Sequence, residues 1–497
     1  MTRRTRSALL AGATLLLNLA CVRAESPAAP ATPAAPSSAA APATAPASEF
    51  DEFIQQLKKP APWFSWGADF RARNEYYNEI VTLAQTSLHE QDVYRYRWRI
   101  WGAITAAPDF SLNARLAGEA RYWNKPAFVG AFKNRTGLEP RFGMLDTLTA
   151  KWTNAFRAPL TLTLGRQDLM LGDPSDWWLV MDGTPNDGSW TTCFDSARLT
   201  AEAKSVQTKF DLIYILQDAR PAAWLPTIGN ASSYPLTDQK EQGVVLYATN
   251  KSLPHTQIDG YFIYKNDKRQ TFTVAGVSKL SGDNADIDTV GGKITGTPTE
   301  HWQYSLEGAY QFGSKEDRVS GVFARRTINA YGGKGKLTYL FKDSFKNQIS
   351  LAAEVLSGDD PATGGTDEMF DILWGRWPRW SELYIYSYIY ETGGRVAQMN
   401  NLGRLGGTWS FTPAKSTTVS FTYNALFALE STPTRTVAPA LFSDAGHFRG
   451  HYVQAVVKHQ FSKYVSGHLW AEWVWQGNYY AQRDVLTFLR AEMALGF

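Results

Sequence analysis

From Trp63 to Phe497 the chain repeats one pattern: apolar and polar residues alternate over runs of ten or more. Phe64, Trp66, Ala68, Phe70 and Ala72 alternate with Ser65, Gly67, Asp69, Arg71 and Arg73. Tyr94, Tyr96, Trp98 and Ile100 alternate with Arg95, Arg97 and Arg99. Trp302, Tyr304, Leu306, Tyr310 and Phe312 continue the theme. A period of two describes a strand with one apolar face. Strands of soluble sheets usually run about five or six residues, whereas a tilted strand crossing a bilayer needs about ten. After the N-terminus no apolar run approaches the ~18 residues of a spanning helix. A helical membrane protein is therefore excluded.

The pattern gives about eighteen strands, an even number as in bacterial barrels. They fall near 63–77, 92–106, 111–123, 144–154, 160–170, 194–204, 208–217, 241–250, 256–266, 286–297, 302–313, 327–341, 346–357, 399–411, 416–427, 450–461, 465–476 and 485–497. The connections alternate in length. Short turns such as 107–110, 155–159, 251–255 and 412–415 carry Pro, Asp, Asn or Ser. Long loops such as 124–143, 171–193, 218–240 and 358–398 lie between them. The last strand alternates Leu489, Ala491, Met493, Leu495 and Phe497, ending on an aromatic as outer-membrane barrels do. The expected fold is all-β: a single-chain transmembrane antiparallel barrel with short periplasmic turns and long extracellular loops. It would occupy residues 63–497, contact outer-membrane lipid and lie in a bacterial outer membrane.

The N-terminus reads as an address. Arg3, Arg4 and Arg6 precede the apolar stretch from Ser7 to Ala20, and Val22-Arg23-Ala24 offers small residues for cleavage. Residues 1–24 are the expected signal peptide. Cys21 would suit a lipoprotein, but Asn18 stands where that motif wants Leu. Residues 25–48 are nearly all Ala, Pro, Ser and Thr and read as a disordered tether. Residues 49–62 hold a short amphipathic periplasmic helix built on Phe50, Phe53, Ile54 and Leu57, ended near Pro60 and Pro62. It would rest against the barrel or dock a periplasmic secretion or scaffold partner. An even strand count puts both chain ends on the periplasmic side.

Apolar residues facing lipid leave their neighbours facing a lumen. That assignment points Arg71, Arg73, Arg95, Arg97, Arg99, Arg115, Arg121, Lys151, Arg198, Lys265, Lys293, Lys334, Lys336, Arg404, Lys458 and Arg490 inward. The inward acids are fewer: Asp69, Glu75, Glu119, Glu202, Asp259, Glu307, Glu354, Glu472 and Glu492. The balance is roughly sixteen bases to nine acids on this parity. The whole chain is only +3, too little to suggest nucleic acid. A lumen lined with Arg and Lys would concentrate anions and repel cations. Alternatively, Arg and Glu simply brace the wall across strands. Arg166 breaks the parity after Leu160, Leu162 and Leu164, and a bulge at Gly165 would turn it inward.

The loop after Leu356 carries Asp359, Asp360, Asp367, Glu368 and Asp371, a weak calcium candidate without EF-hand spacing. A solvated acidic loop is the simpler reading. No cofactor is expected, and the seven histidines show no close ligand pair. Trp374, Trp377 and Trp380 would either guide a sugar chain at the mouth or pack the loop across the barrel.

Three segments resemble the alginate export family of outer-membrane barrels: Leu164-Gly-Arg-Gln-Asp168 with Gly172-Asp173, Thr192 to Leu199, and Leu356 to Asp360 with Phe370-Asp371 and Arg376 to Tyr384. The resemblance spans roughly Phe64 to Phe497. It implies a monomeric eighteen-stranded pore lined by arginines, conducting the polyuronate alginate outward and performing no chemistry. The alternatives are an anion- or oligosaccharide-selective porin for uptake, a barrel-borne lipase, and a plugged structural barrel.

Overall fold

A computed structural model describes residues 49–497 apart from 87, 128–131, 172–193, 219–224, 226–227, 229–238, 275–276, 320–321, 376–379, 393–398, 432, 434–435, 437 and 444. The signal peptide, the tether, Trp377 and the 172–193 segment lie outside the described residues.

The strands are β1 Phe64–Asn78, β2 Glu90–Ala107, β3 Phe110–Trp123, β4 Gly137–Trp152, β5 Leu160–Gln167, β6 Phe194–Ala203, β7 Thr208–Gln217, β8 Gln239–Asn250, β9 Thr256–Val274, β10 Val277–Ser281, β11 Asn284–Gly296, β12 Trp302–Val319, β13 Val322–Leu340, β14 Gln348–Leu356, β15 Thr366–Asp367, β16 Leu402–Ala414, β17 Thr417–Phe427, β18 Phe448–Gln460, β19 Val465–Gln476 and β20 Val485–Gly496. Each wall strand pairs antiparallel with its neighbours, and β1 pairs with both β2 and β20. The sheet therefore closes and leaves no edge. β10 only extends a hairpin from β9, and β15 is a two-residue parallel bridge to β13. The remaining eighteen strands form the wall.

Alternation sorts the side chains as the period demands. Leu306, Leu351, Leu405 and Leu469 point outward and are 60–62% exposed. Their polar neighbours face inward and are largely buried. The start of β1, the end of β20 and the short turns share one end of the barrel. The longer connections rise from the other.

Three sequence expectations are corrected. β4 begins at Gly137 rather than near 144. The 314–326 stretch, expected as a loop, carries the continuation of β12 and β13, which run 18 and 19 residues and pair as far as Val319 with Val322. That is longer than the roughly ten residues a bilayer requires. The four consecutive charged residues Lys315 to Arg318 hide the strand pattern there. Finally, Gly165 carries no inserted residue. Its register with β4 and β6 runs on without a break. The break in alternation is made instead by a φ of +117°, and Arg166 beside it is fully buried.

A Cβ on Gly165 would stand 2.2 Å from the Leu148 carbonyl oxygen. We expect Gly165→Ala to destabilise the barrel by about 3 kcal/mol, from backbone strain plus the clash. The control is Gly260→Ala, where a Cβ would meet nothing within 4 Å. Heat-dependent mobility of the folded barrel on gels reads both: the first transition falls and the second holds.

Helix α1 spans Glu49–Lys58 at the end that holds the short turns. Asp51 accepts a hydrogen bond from the Tyr464 hydroxyl at 2.9 Å and pairs with Lys463. Phe50 packs edge-on against Tyr464 at 5.6 Å. The Trp66 indole donates to the Leu57 carbonyl at 2.6 Å.

Candidate functional site: the charged lumen and the loop that crosses it

Two walls of the lumen carry charge in different ways. Across β9, β11, β12, β13, β14 and β16, one rung reads Asp259, Lys293, Glu307, Lys334, Glu354 and Arg404. The sign alternates at every step. Opposite charges directly across strands stabilise a sheet. Lys334 lies 3.2 Å from Glu307, and Arg404 donates to Glu354 at 3.1 Å. This rung is bracing.

The wall of β20, β1, β2 and β3 is different. There the rung reads Glu492, Arg73, Arg95, Arg121 and Glu139. The next rung sets Arg71 opposite Arg97. Like charges directly opposite are destabilising. A sequence that only braced its wall would not place three arginines side by side. Inward positions of these four strands hold eight arginines (71, 73, 95, 97, 99, 115, 121 and 490) against four carboxylates (Asp69, Glu75, Glu119 and Glu492).

Each carboxylate faces one arginine across a strand (Glu492 opposite Arg73, Glu75 opposite Arg490, Asp69 opposite Arg99 and Glu119 opposite Arg97), and most reach a further arginine diagonally, holding the set in place. Glu75 is the hub. It accepts from Arg490 at 2.9 Å, from Arg73 and Arg95 at 3.1 Å each, and from the Tyr77 hydroxyl at 2.6 Å. Glu119 takes Arg95 at 2.9 Å and Arg121 at 2.6 Å. Asp69 takes Arg99 at 2.8 Å, with Arg97 at 3.7 Å. Arg73 also donates to Glu492 at 2.8 Å, and Arg71 lies 3.6 Å from it.

The other sequence candidates divide. Arg115 donates to Asp146 at 2.7 Å and bidentately to Asp168 at 2.9 Å. Arg166 pairs with Asp195 at 2.8 Å and donates to the Leu145 carbonyl. Arg198 pairs with Asp211 at 2.9 Å, and Lys265 with Asp267 at 3.1 Å. Lys336 and Lys458 are half-buried, and Lys151 is exposed near the end that holds the short turns. Both sequence readings of the inward bases, bracing and a basic path, therefore have a place in the lumen. Much of the inward charge is paired, and the arginine excess is concentrated on one wall.

The described parts of the connection from Ser357 to Asn401 enter the lumen. Trp374 is fully buried; its indole donates to Glu241 on β8 at 3.0 Å, and it meets Phe194 on β6 edge-on at 6.2 Å. Gln311 on β12 exchanges two hydrogen bonds with the Asp371 backbone, at 2.6 and 2.8 Å. From Trp380 to Thr392 every residue is buried. This stretch includes a single helical turn, α2, Tyr384–Ser387. Glu472 on β19 accepts the Ser381 hydroxyl at 2.7 Å and the backbone N–H groups of Glu382 and Leu383 at 2.9 Å each. Tyr386 packs edge-on against Tyr77 of β1 at 5.4 Å. The loop thus joins β8 and β12 to β19 and β1. Trp374 and Trp380 pack this crossing rather than stand at a mouth.

The calcium reading is not supported by the geometry. Arg326 holds Asp359 bidentately at 2.8 and 2.9 Å. Asp360, Asp367 and Asp371 cap backbone N–H groups two residues on, and Glu368 accepts from Thr363. Among the described residues no cluster of three or more ligand-type side chains is placed to hold a metal ion.

Sequence reasoning missed Arg449, Glu382 and Glu391. Arg449 was read as loop. Gly450 beside it has a φ of +141°, and a Cβ there would stand 2.1 Å from the Trp475 carbonyl oxygen. This repeats the pairing of Gly165 with Arg166. A glycine next to an arginine at a strand end was the available signal.

A closed barrel with an apolar outer belt and a charged interior defines the class: an outer-membrane channel. So large an exposed apolar belt is not compatible with water. The chain belongs to the alginate export family, whose model matches residues 63–490. The protein is accordingly located in the bacterial outer membrane. No curated protein matches it. Its fold is similar to OccK9 (OpdG) of Pseudomonas aeruginosa, at a TM-score of 0.54 and 9% identity, covering 87% of this chain and 98% of that one. OccAB1 of Acinetobacter baumannii gives a TM-score of 0.53 at 10% identity, covering 87% and 96%.

Proposed function

We propose that the barrel conducts an anionic polysaccharide of the alginate type outward, without chemistry, with the short turns in the periplasm and the long loops outside. The observation that carries this reading is the wall of like-charged rungs, Arg73–Arg95–Arg121 and Arg71–Arg97. Guanidinium forks pair with carboxylates, and several adjacent ones offer a chain of uronates repeated, exchangeable sites. Passage needs binding that is also easily released. Membership of the alginate export family supports the same substrate class.

Helix α1 and the chain before it would meet a periplasmic partner that delivers the polymer. The barrel would act as a monomer.

A second reading is favoured by the loop that crosses the lumen. A narrowed path suits an uptake porin for small anions or oligosaccharides. Single-channel recording with polyuronates of graded length separates the two. Block that deepens with chain length supports the polymer path. Current that polymer leaves untouched favours the small-anion porin.

A further inference from the structure

The crossing segment carries two carboxylates, and both sit on arginines of the wall. Glu382 meets Arg490 at 2.5 Å, and Arg490 belongs to the Glu75 hub. Glu391 is held bidentately by Arg449 at 2.7 and 2.6 Å and accepts the Tyr479 hydroxyl at 2.9 Å. The Arg449 guanidinium stacks 4.3 Å from the Tyr479 ring and 5.1 Å from Tyr388.

An arginine fork beside flat aromatic rings is the chemistry that recognises a uronate sugar. The fork takes the carboxylate and the ring takes the apolar face of the pyranose. Here that environment is filled by the chain itself. The bracing wall shows what plain anchoring looks like: Lys334 and Arg404 take their acids from adjacent strands. Arg449 instead takes its acid from the lumen segment, as Arg490 does in part.

We propose that Ser381–Thr392 is an internal stand-in for a polyuronate. Glu382 and Glu391 occupy carboxylate sites on Arg490 and Arg449 that a uronate chain takes when it enters. Substrate carboxylates and loop carboxylates then compete, and only an anionic chain releases the segment. This rests on the lumen being a polyuronate path, and it names the sites and the competitor.

Competition lowers the apparent affinity by the fraction of barrels whose sites are open. Glu382→Gln with Glu391→Gln keeps the shape and removes the competing charge. The polyuronate concentration that half-blocks single-channel current is expected to fall about tenfold, the scale of one lost charge-assisted pair. A second measurement uses the unmodified protein: amide exchange in 381–392 rises when polyuronate is added and stays unchanged with neutral dextran. Heat-dependent gel mobility confirms that the variant is folded. If half-block is unchanged in a folded, still anion-selective variant, or polyuronate leaves exchange in 381–392 unchanged or slower, the stand-in is overturned while the conduit survives. If polyuronate blocks neither protein, both readings fall together.

Discussion

Replacing Ser381–Thr392 by a Gly/Ser run of equal length is expected to raise single-channel conductance several-fold. The segment stays in the lumen because its side chains are buried there, not because of its length. Leu383, Tyr384, Ile385, Tyr388 and Ile389 are each fully buried. Burying one such side chain contributes about 1.5–3 kcal/mol. Glu472 adds three hydrogen bonds to the segment's start, two of them to backbone N–H groups that survive the replacement. Those two bonds do not offset the ordering entropy of a flexible chain, at about 1–2 kcal/mol per residue. The replaced run therefore leaves the lumen, and the cross-section it filled becomes water. Gel mobility should still report a folded barrel, because the wall closes through β1 and β20 without the loop. A folded variant with unchanged conductance would show that ions pass by a route the loop does not restrict.

Changing Arg71, Arg73, Arg95 and Arg97 together to Gln is expected to abolish the preference for anions. The wild-type wall carries more inward arginines than acids. After the change, Glu75, Glu119, Glu492 and Asp69 remain with Arg490, Arg121, Arg115 and Arg99, four acids to four arginines, and the surplus of positive charge is gone. At an effective dielectric near 20, a unit charge 5 Å from a passing ion contributes about 3 kcal/mol. Removing four such charges outweighs the diffusional difference between potassium and chloride. The reversal potential in a KCl gradient should fall to near zero. Neutralising Lys293, Lys334 and Lys336 removes the same kind of charge from the bracing wall. It should cost stability, because Glu307 and Glu354 lose partners, and shift selectivity less. Equal shifts from both sets would show that position on the wall does not matter.

Much of the barrel is legible in the chain because membrane strands must alternate strictly. Eighteen wall strands follow from counting alternating runs, and most boundaries fall within a few residues. The failures have physical causes. Lys315 to Arg318 are four charged residues in a row, which reads as loop although the ladder continues. At Gly165 alternation fails because a glycine φ rotates the chain, which no periodicity count detects.

The site is legible only in part. Parity points the arginines inward, but it does not give register. Register decides whether a base faces an acid, as Lys334 faces Glu307, or another base, as Arg73 faces Arg95. Those two situations have opposite meanings for function. The loop is less legible still. Tyr384-Ile-Tyr-Ser-Tyr388 carries no periodicity that distinguishes a mouth from a lumen. Its partners, Glu472, Arg490 and Tyr77, lie far away in sequence.

If one wall of this barrel is an arginine track for carboxylates, that must show in how the channel conducts. The most direct test is the reversal potential of the unmodified protein in a planar bilayer under a KCl gradient, with polyuronate then added to one side. The account predicts chloride-selective current that polyuronate blocks more deeply as its chain lengthens. Cation-selective current, or chloride current indifferent to polyuronate of every length, would contradict it.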